Sequence, residues 1–423
     1  AIVVADSQGS SEADYEDYEQ VLAEAEASTS DEAFALHLGD MVDDGTNENY
    51  WSWLMDTDAS MGVATMPVAG NHEARQDDEA LANAVAAHYN VDIPEQDTST
   101  GIYYSFVYGD ATYIVLNTND GDSAVGDAQR QWASETAAAA ETTWKIVVTH
   151  KAPYSKGSHQ GDSDVVALRG WLDSFCAQND VDLVLSGHDH TYMRTPSLSG
   201  GAEAAVTTKT VSDGAGNSYE AQVNPAGTTF VIPSTSGTKY YDIVENDLPT
   251  AFSWQGYQPV WSTLEIDGDT LFWRSYAYDA ETDASTCIDS FAITKDDNLT
   301  PAEEVMQMID ALPDPDAGSE PILAAEKDVE ASRAAYDELE DADKEQVSNL
   351  SKLEQLEQLI EVYQDIAGKE TVDLSTGIYY DGKDDDEGQR RAAFKEAIAD
   401  PDVGTIILPG DTRRRSVSTA ETP

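Results

Sequence analysis

Between residues 1 and 190, short apolar runs alternate with longer stretches in which apolar residues recur at helical spacing. This alternation predicts a layered α/β fold, because strands joined by helices form a largely buried sheet. We predict strands at 2–5, 34–38, 66–69, 101–107, 111–117, 145–149 and 183–186, and helices at 13–27, 78–89, 127–140 and 165–179.

Residues 197–228 are polar and rich in Gly, Ser and Thr, which predicts an extended surface insertion. Apolar runs then return, and we predict the last strands of the sheet at 229–233, 260–266, 270–278 and 288–294. The first domain is therefore expected to span residues 1–297.

The pattern changes after this domain. Residues 298–368 carry apolar residues at helical spacing and predict an accessory bundle of about three helices. The stripe that contains Leu353, Leu356 and Leu359 is expected to form its core. Residues 369–423 are predicted to be a tail, in which 404–410 resembles the opening turn of a truncated β-helix-like module.

The charge balance restricts the partners of this chain. It contains 81 Asp and Glu against 23 Lys and Arg, a formal net charge of -58. Such a surface repels polyanions, so no nucleic acid polymer is expected to bind. No run of apolar residues is long enough for a membrane span. Cys176 and Cys287 lie outside any CxxC motif, and the sequence leaves their disulfide state open.

Polar motifs rich in Asp, Asn and His follow five of the predicted strands. They are Asp6-Ser7-Gln8, Gly39-Asp40-Met41-Val42-Asp43, Gly70-Asn71-His72-Glu73, Thr149-His150 and Gly187-His188-Asp189-His190. Any one of them could be a turn or a helix cap. In an open α/β sheet, however, the carboxyl ends of the strands present ligands at one edge. Five such motifs in order therefore predict a common site.

This series resembles the signature of the calcineurin-like metallophosphoesterases, D-x-H, GD-x-x-D, GNH-[DE], H and GH-x-H. The continuation from His190 through Tyr192 and Arg194 to Thr195 is closest to the purple acid phosphatase branch, GH-x-H-x-Y-x-R-[ST]. The resemblance covers residues 1 to about 295. It implies an α/β fold with a metallophosphoesterase-type β-sandwich flanked by helices.

The resemblance also implies a dinuclear centre with two divalent or trivalent metal ions (Zn, Fe or Mn). The ligands that it implies are Asp6, Gln8, Asp40, Asn71, His150, His188 and His190. Asp40 would bridge the ions, with Asp6 and His190 at the first metal and the Asn and the other two His at the second.

Two positions depart from the family pattern. Gln8 stands where the superfamily commonly has a His ligand, and an amide oxygen is a poorer ligand than imidazole for Zn. Whether Gln8 coordinates is left open. Asp43 stands where purple acid phosphatases have a Tyr ligand, so neither the purple colour nor a ferric preference is implied.

Three further residues are catalytic candidates by resemblance. His72 would contact phosphate or protonate the leaving group, and His159 is the second candidate for that proton transfer. Arg194 would hold the substrate phosphate or, alternatively, pair with a structural carboxylate. His37 and His88 lie outside the motifs and are expected to be structural.

The predicted function is hydrolysis of phosphate monoesters of small substrates by a metal-bound hydroxide. Phosphodiester or nucleotide hydrolysis on the same core is the first alternative. The second is a surface or adhesive protein with a degenerate phosphatase domain. The acidity and the C-terminal modules predict an extracellular or cell-surface protein of a Gram-positive bacterium, with possible cell-wall association. Substrate, metal identity and oligomeric state stay open.

Overall fold

The apolar runs of the first 296 residues form strands, and most amphipathic stretches between them form helices. The computed structural model describes residues 1–29, 32–74, 84–91, 102–204, 206–296, 299–366, 371–373, 397, 405–407 and 416–418. The chain divides into two compact units, Ala1–Asp296 and Asp297–Pro423.

The first unit contains seventeen described strands. They are β1 Ile2–Val4, β2 Ala35–His37, β3 Thr65–Pro67, β4 Tyr104–Tyr108, β5 Ala111–Val115, β6 Trp144–Val148, β7 Leu183–Leu185, β8 Tyr192–Arg194, β9 Leu198–Ser199, β10 Ala202–Glu203, β11 Thr207–Ser212, β12 Ser218–Val223, β13 Thr229–Pro233, β14 Phe252–Trp254, β15 Val260–Asp267, β16 Thr270–Asp279 and β17 Ala284–Thr294. Its described α-helices are α1 Glu12–Ser28, α2 Glu48–Met55, α3 Asp58–Gly62, α4 Ala84–His88, α5 Asp127–Ala139 and α6 Ser163–Asn179, with a short 3-10 helix at Gly121–Ser123.

These strands form two large mixed sheets. One has the order β11-β12-β17-β16-β15-β1-β2-β3, and the other has the order β14-β8-β13-β7-β6-β5-β4. β1, β2 and β3 are parallel, as are β5, β6, β7 and β13. One apolar cluster contains residues of both sheets, among them Val3, Leu36, Ile146 and Leu185. The unit is an α/β sandwich, and the predicted motifs follow parallel strands of both sheets.

The prediction of a surface insertion at 197–228 was wrong. Within this stretch β11 pairs with β12, and β12 joins the larger sheet by pairing in parallel with β17. Tyr219, Ala221 and Val223 are buried at alternate positions of β12. This period of two is a strand signal, which the Gly, Ser and Thr content of the flanking turns concealed.

The sequence reading also missed α2. Asn47 caps its first turn by accepting a hydrogen bond from the Asn49 N–H at 3.1 Å. Trp51 and Leu54 are buried on one face. The helix is too short to show a periodic pattern, and packing of the two apolar side chains stabilises it.

The second unit contains the helices α7 Pro301–Asp310, α8 Ser319–Ala324, α9 Glu326–Glu338, α10 Asp341–Lys344 and α11 Leu350–Ile366. The three longer ones match the predicted number, and α8 and α10 are short additions. Leu353, Leu356 and Leu359 are buried with Val305 and Ile309, so the leucine stripe is core. No described helix is both long and apolar enough to cross a membrane.

Near the C-terminus, β18 Thr371–Asp373, β19 Thr405–Ile407 and β20 Ser416–Ser418 form a three-stranded sheet. β19 pairs in parallel with β18 and antiparallel with β20. Most of the predicted β-helix-like turn at 404–410, and of the tail as a whole, lies outside the described residues.

Candidate metal centre

The five motifs follow β1, β2, β3, β6 and β7, so both sheets contribute to one site. Hydrogen bonds join the loops to one another. The Gln8 N–H donates to the Asp40 carbonyl at 3.0 Å, and the His188 N–H donates to both oxygens of Asp6, at 2.9 and 3.0 Å. The site is therefore a rigid junction between the sheets.

The backbone is strained at three of these residues. Asp6, Asp40 and His188 have φ values of 53°, 49° and 73°, in the left-handed region that non-glycine residues rarely adopt. Each costs about 1–3 kcal/mol and persists only where the surroundings impose it. Gly39 has φ 94°, and a Cβ there would lie 2.6 Å from His150 Nδ1. The loop thus requires glycine.

Asp40, Asn71, His150 and His188 form what we call the His150 cluster. His150 Nε2 lies 3.2 Å from Asp40 Oδ2, 3.1 Å from Asn71 Oδ1 and 3.2 Å from His188 Nδ1. Ligands bound to one ion at about 2.0–2.2 Å lie roughly 3.0–3.5 Å apart. In the described part of the chain, Asp40, His150 and His188 form the group that could hold a metal ion.

The hydrogen bonds of the cluster decide which nitrogen of His150 could bind a metal. His150 Nδ1 donates to the Leu38 carbonyl oxygen at 2.9 Å, so Nε2 is the nitrogen that a cation would bind in place of a proton. Such a hydrogen bond fixes the tautomer and the ring orientation of a metal-binding histidine. His150 Nε2, Asp40 Oδ2 and Asn71 Oδ1 therefore lie close together, and such a group of nitrogen and oxygen atoms suits a cation.

Electrostatics favour positive charge at this point. Burial opposes the charged form of His150, but the Asp40 carboxylate outweighs it and raises the His150 pKa to about 9. His150 likewise outweighs the burial of Asp40 and holds the Asp40 pKa well below its usual range. Burial and the charge of His150 lower the pKa of His188 well below its ordinary value. The residues present therefore fit a metal ion.

A second set of donors lies beside Asp40 and comprises Asp6, Gln8 and His190, which we call the His190 cluster. His190 Nδ1 donates to the Lys239 carbonyl oxygen at 2.5 Å, and His190 Nε2 lies 3.5 Å from Asp6 Oδ1. Both side chains are buried. The orientation of His190 matches that of His150, with one ring nitrogen bound to a carbonyl and the other facing a carboxylate.

Gln8 connects this cluster to Asp40. Its amide hydrogen bonds are satisfied when Nε2 donates to the main-chain carbonyl oxygens of Asp40, at 2.9 Å, and Asp6, at 3.1 Å. In this orientation the Gln8 Oε1 atom is the one that lies 3.5 Å from both Asp40 Oδ2 and His190 Nε2. Gln8 thus presents an oxygen at the position that its sequence motif assigns to a ligand.

We expect Gln8→His to shift the metal preference of the protein from Mn towards Zn. An amide oxygen is a hard donor that suits Mn, whereas imidazole suits Zn. The measurement is the Zn to Mn ratio, by elemental analysis, after loading wild type and variant from an equimolar mixture. Gln8→Glu keeps an oxygen donor and serves as the control. Equal ratios in wild type and Gln8→His would contradict a ligand role for Gln8.

A family model for calcineurin-like phosphoesterases matches residues 1–192. Residues 1–192 belong to the calcineurin-like phosphoesterase family. The predicted family is thereby confirmed, and the phosphoesterase motifs through His190 all lie within the matched stretch.

Curated relatives match only part of this chain. An uncharacterized protein of Mycobacterium tuberculosis, Rv2577, is 32% identical over 152 residues, which is 32% of this chain and 28% of that protein. Probable purple acid phosphatase 20 of Arabidopsis thaliana is 30% identical over 137 residues, 30% of this chain and 32% of that protein. The chain thus spans about a third or less of the length of these relatives.

The fold has a solved counterpart in purple acid phosphatase PPD1 from yellow lupin (Lupinus luteus) seeds. The two align with a TM-score of 0.54 and 16% identity, covering 70% of this chain and 53% of that one. The predicted fold class, an α/β metallophosphoesterase sandwich followed by C-terminal helices, is confirmed.

The structure places His72 and His159 next to the clusters. His72 Nδ1 donates to the Asp43 carbonyl oxygen at 2.6 Å, and His72 Nε2 lies 3.9 Å from Asp40 Oδ2. The His159 ring lies 4.4 Å from that of His188, centre to centre, and His159 Nδ1 is 2.9 Å from Asp162 Oδ2. Each ring is therefore held through Nδ1, and Nε2 of neither ring forms a hydrogen bond with the described residues.

Arg194 takes the structural alternative. Its Nε donates to Asp289 Oδ2 at 2.7 Å and its Nη2 donates to Asp289 Oδ1 at 3.0 Å. The Tyr192 hydroxyl donates to the same carboxylate at 2.9 Å, and the guanidinium lies over the Phe291 ring. This bidentate pair connects β8 to β17. Arg194 therefore forms a structural ion pair with Asp289, and we no longer expect it to hold the substrate phosphate.

Glu73 was missed as a site residue by the sequence reading. Its Oε2 accepts hydrogen bonds from the N–H groups of Asp40 and Gly70, each at 3.0 Å, and its Oε1 accepts one from Val42 at 2.9 Å. Burial and the Asp40 charge raise the Glu73 pKa to about 8. Glu73 positions the backbone that carries Asp40. Its place at the end of Gly70-Asn71-His72-Glu73 was the available signal.

The two remaining histidines pack outside the clusters. His37 Nε2 lies 2.9 Å from Ser7 Oγ, and burial followed by the charge of His150 lowers the His37 pKa to about 3, so this ring is neutral. His88 stacks on Trp51 with ring centres 4.1 Å apart. Cys176 is buried and Cys287 is exposed, and both are free thiols.

A cavity of about 490 Å³ opens beside the His150 cluster. Its lining includes Asn71, Asn119, Asp122, Lys151, Asp162, Ser163 and Asp164. Lys151 Nζ donates to Asp164 Oδ2 at 2.5 Å, so this lysine is already paired with a carboxylate. Asn71 is the residue of the His150 cluster that lines this cavity.

Proposed function

We propose that the first unit binds two metal ions, at the His150 and His190 clusters, and hydrolyses phosphate monoesters. The position of Asp40 carries this proposal. Its Oδ2 atom lies 3.2 Å from His150 Nε2 in one cluster and 3.5 Å from the Gln8 amide in the other. A carboxylate shared by two donor sets suits a pair of cations about 3.5–4 Å apart.

Bound metal ions would supply Lewis-acid activation of water and neutralise charge on the phosphoryl oxygens. The chain itself contributes orientation. Because His72 Nδ1 is bound to a carbonyl oxygen, His72 Nε2 is the nitrogen that would donate to phosphate when the ring carries both protons. Because His159 Nδ1 is bound to Asp162, the Nε2 proton of the doubly protonated ring is the one that would pass to the leaving group. General-acid help of this kind contributes about 10²–10⁴-fold.

Support for a phosphatase also comes from the names of the relatives, since two Arabidopsis thaliana proteins that match part of this chain are named as purple acid phosphatases. The donors argue against the degenerate-domain alternative, because each predicted ligand retains a donor atom that faces the clusters. Export to a cell surface stays a proposal that rests on acidity and the helical unit.

The test is turnover of p-nitrophenyl phosphate against bis-p-nitrophenyl phosphate by metal-loaded protein. We expect faster hydrolysis of the monoester and a collapse of activity in His72→Ala and in His150→Ala. Preference for the diester would establish the phosphodiesterase alternative. Hydrolysis of neither ester by protein with two bound metals would contradict the proposal and favour the surface-protein alternative.

A further inference from the structure

The loop that carries Lys239 and Tyr241 lies directly against the His190 cluster. The Lys239 carbonyl oxygen accepts the hydrogen bond from His190 Nδ1. The Tyr241 ring stacks on the His190 ring, with centres 4.3 Å apart and planes at 11°. Tyr241 also lies 5.8 Å from the His159 ring. The Tyr241 ring is therefore close to both a proposed metal ligand and the proposed proton donor.

Hydrogen bonds to main-chain carbonyl groups fix the position of Tyr241 next to His190. Gln255 Nε2 donates to the Tyr241 carbonyl oxygen at 2.6 Å and to the His190 carbonyl oxygen at 2.8 Å. The loop and the ligand are thus held by the same side chain. Substituting the side chain of Lys239 leaves every one of these hydrogen bonds in place, because Lys239 contributes only its carbonyl group to them.

The exposed Lys239 side chain places a positive charge next to Tyr241. Its Nζ lies 5.7 Å from the centre of the Tyr241 ring. Burial raises the pKa of the Tyr241 hydroxyl, and the Lys239 charge opposes that shift. Lys151 and Lys295 pair with carboxylates, whereas within the described residues Lys239 forms no ion pair. The only side-chain partner found for Lys239 among these residues is Tyr241, in a chain whose net charge is -58.

We propose that the Lys239 ammonium and the Tyr241 hydroxyl form an anion subsite that binds a phosphoryl oxygen and selects monoesters over diesters. A phosphate monoester carries nearly two negative charges at neutral pH, since its second pKa is about 6. A diester carries one. A cation beside the phosphoryl group therefore favours the monoester. This inference rests on the proposed function, because it names residues that would set the ester preference of the same site.

Lys239→Gln tests the charge. We expect kcat/KM for p-nitrophenyl phosphate to fall about ten- to hundredfold, the range for a hydrogen bond to a charged group. The value for bis-p-nitrophenyl phosphate should fall less than about threefold. Lys239→Arg should recover most of the loss. Tyr241→Phe, which keeps the stacked ring, should lose part of the monoester preference. Equal losses on both esters, or none, would overturn the subsite.

Inorganic phosphate binding by calorimetry separates this inference from the proposed function. Metal-loaded wild type and Lys209→Gln, a control whose lysine pairs with Asp296, should bind phosphate equally. Lys239→Gln should bind it at least about tenfold more weakly with unchanged metal content. Equal affinity in Lys239→Gln would overturn the subsite alone. Metal-loaded wild type that binds no phosphate and hydrolyses neither ester would overturn the proposed function, and the subsite with it.

Discussion

Asp40→Asn is expected to lower metal content and hydrolysis together. Asp40 Oδ2 faces His150 on one side and Gln8 on the other, so one substitution affects both clusters. Removing an outer-shell partner of a metal ligand lowers metal affinity or activity about 10–100-fold. Removing a ligand that two ions share should lower them more. We expect fewer than two metals per chain and a fall in kcat/KM of about 10³-fold or more.

Metal content by elemental analysis and turnover of p-nitrophenyl phosphate check this expectation. Asp44→Asn is the matched control, because Asp44 lies in the same loop, is exposed and accepts hydrogen bonds from the Thr46 N–H and hydroxyl. It makes the same change of charge and should retain two metals. An Asp40→Asn protein with full metal content would show that Asp40 does not bridge the clusters.

Glu73→Ala is expected to lower the free energy of unfolding of the first unit by about 3–5 kcal/mol. The substitution leaves three buried N–H groups without an acceptor, those of Asp40, Val42 and Gly70. Each costs about 1–3 kcal/mol, and neighbouring losses do not add fully. Glu73→Gln should cost less, about 1–3 kcal/mol, because its remaining oxygen accepts part of the set.

Urea unfolding of metal-free protein, followed by tryptophan fluorescence, measures this difference. All eight tryptophans lie before Asp296, so the signal reports the first unit alone. Glu135→Ala provides a control on an exposed surface of α5 and should change the free energy of unfolding by less than about 0.5 kcal/mol. A Glu73→Ala protein as stable as wild type would contradict the claim that Glu73 positions the backbone around Asp40.

The strands of the first unit were predictable because they are nearly continuous apolar runs. β1, β2 and β7 are buried along their whole length, and such runs are visible without knowledge of their neighbours. β12 was not predicted, because the Gly, Ser and Thr residues of the flanking turns concealed its alternating pattern, and its pairing with β17 showed that it belongs to the sheet. The short helix α2 escaped for a similar reason, since its stability comes from burying Trp51 and Leu54.

The candidate ligands were predictable as a set because their motifs occur in order after strands. Their protonation and orientation were not. The carbonyl groups that hold His150 and His190, from Leu38 and Lys239, carry no side-chain signal in the sequence. The orientation of the Gln8 amide likewise depends on two main-chain oxygens. Arg194 could be assigned only when its partner Asp289, distant along the chain, was brought beside it.

The sequence by itself determined the family, the α/β class and the residue types that converge on the site. These depend on local patterns, namely apolar runs and the polar residues that directly follow them. Tertiary structure decided which nitrogen of each histidine faces the centre, which charges are already paired and which side chains surround the ligands. The physical reason is that hydrogen bonds and charge pairing depend on groups that are far apart in the chain, and local sequence does not encode their distances.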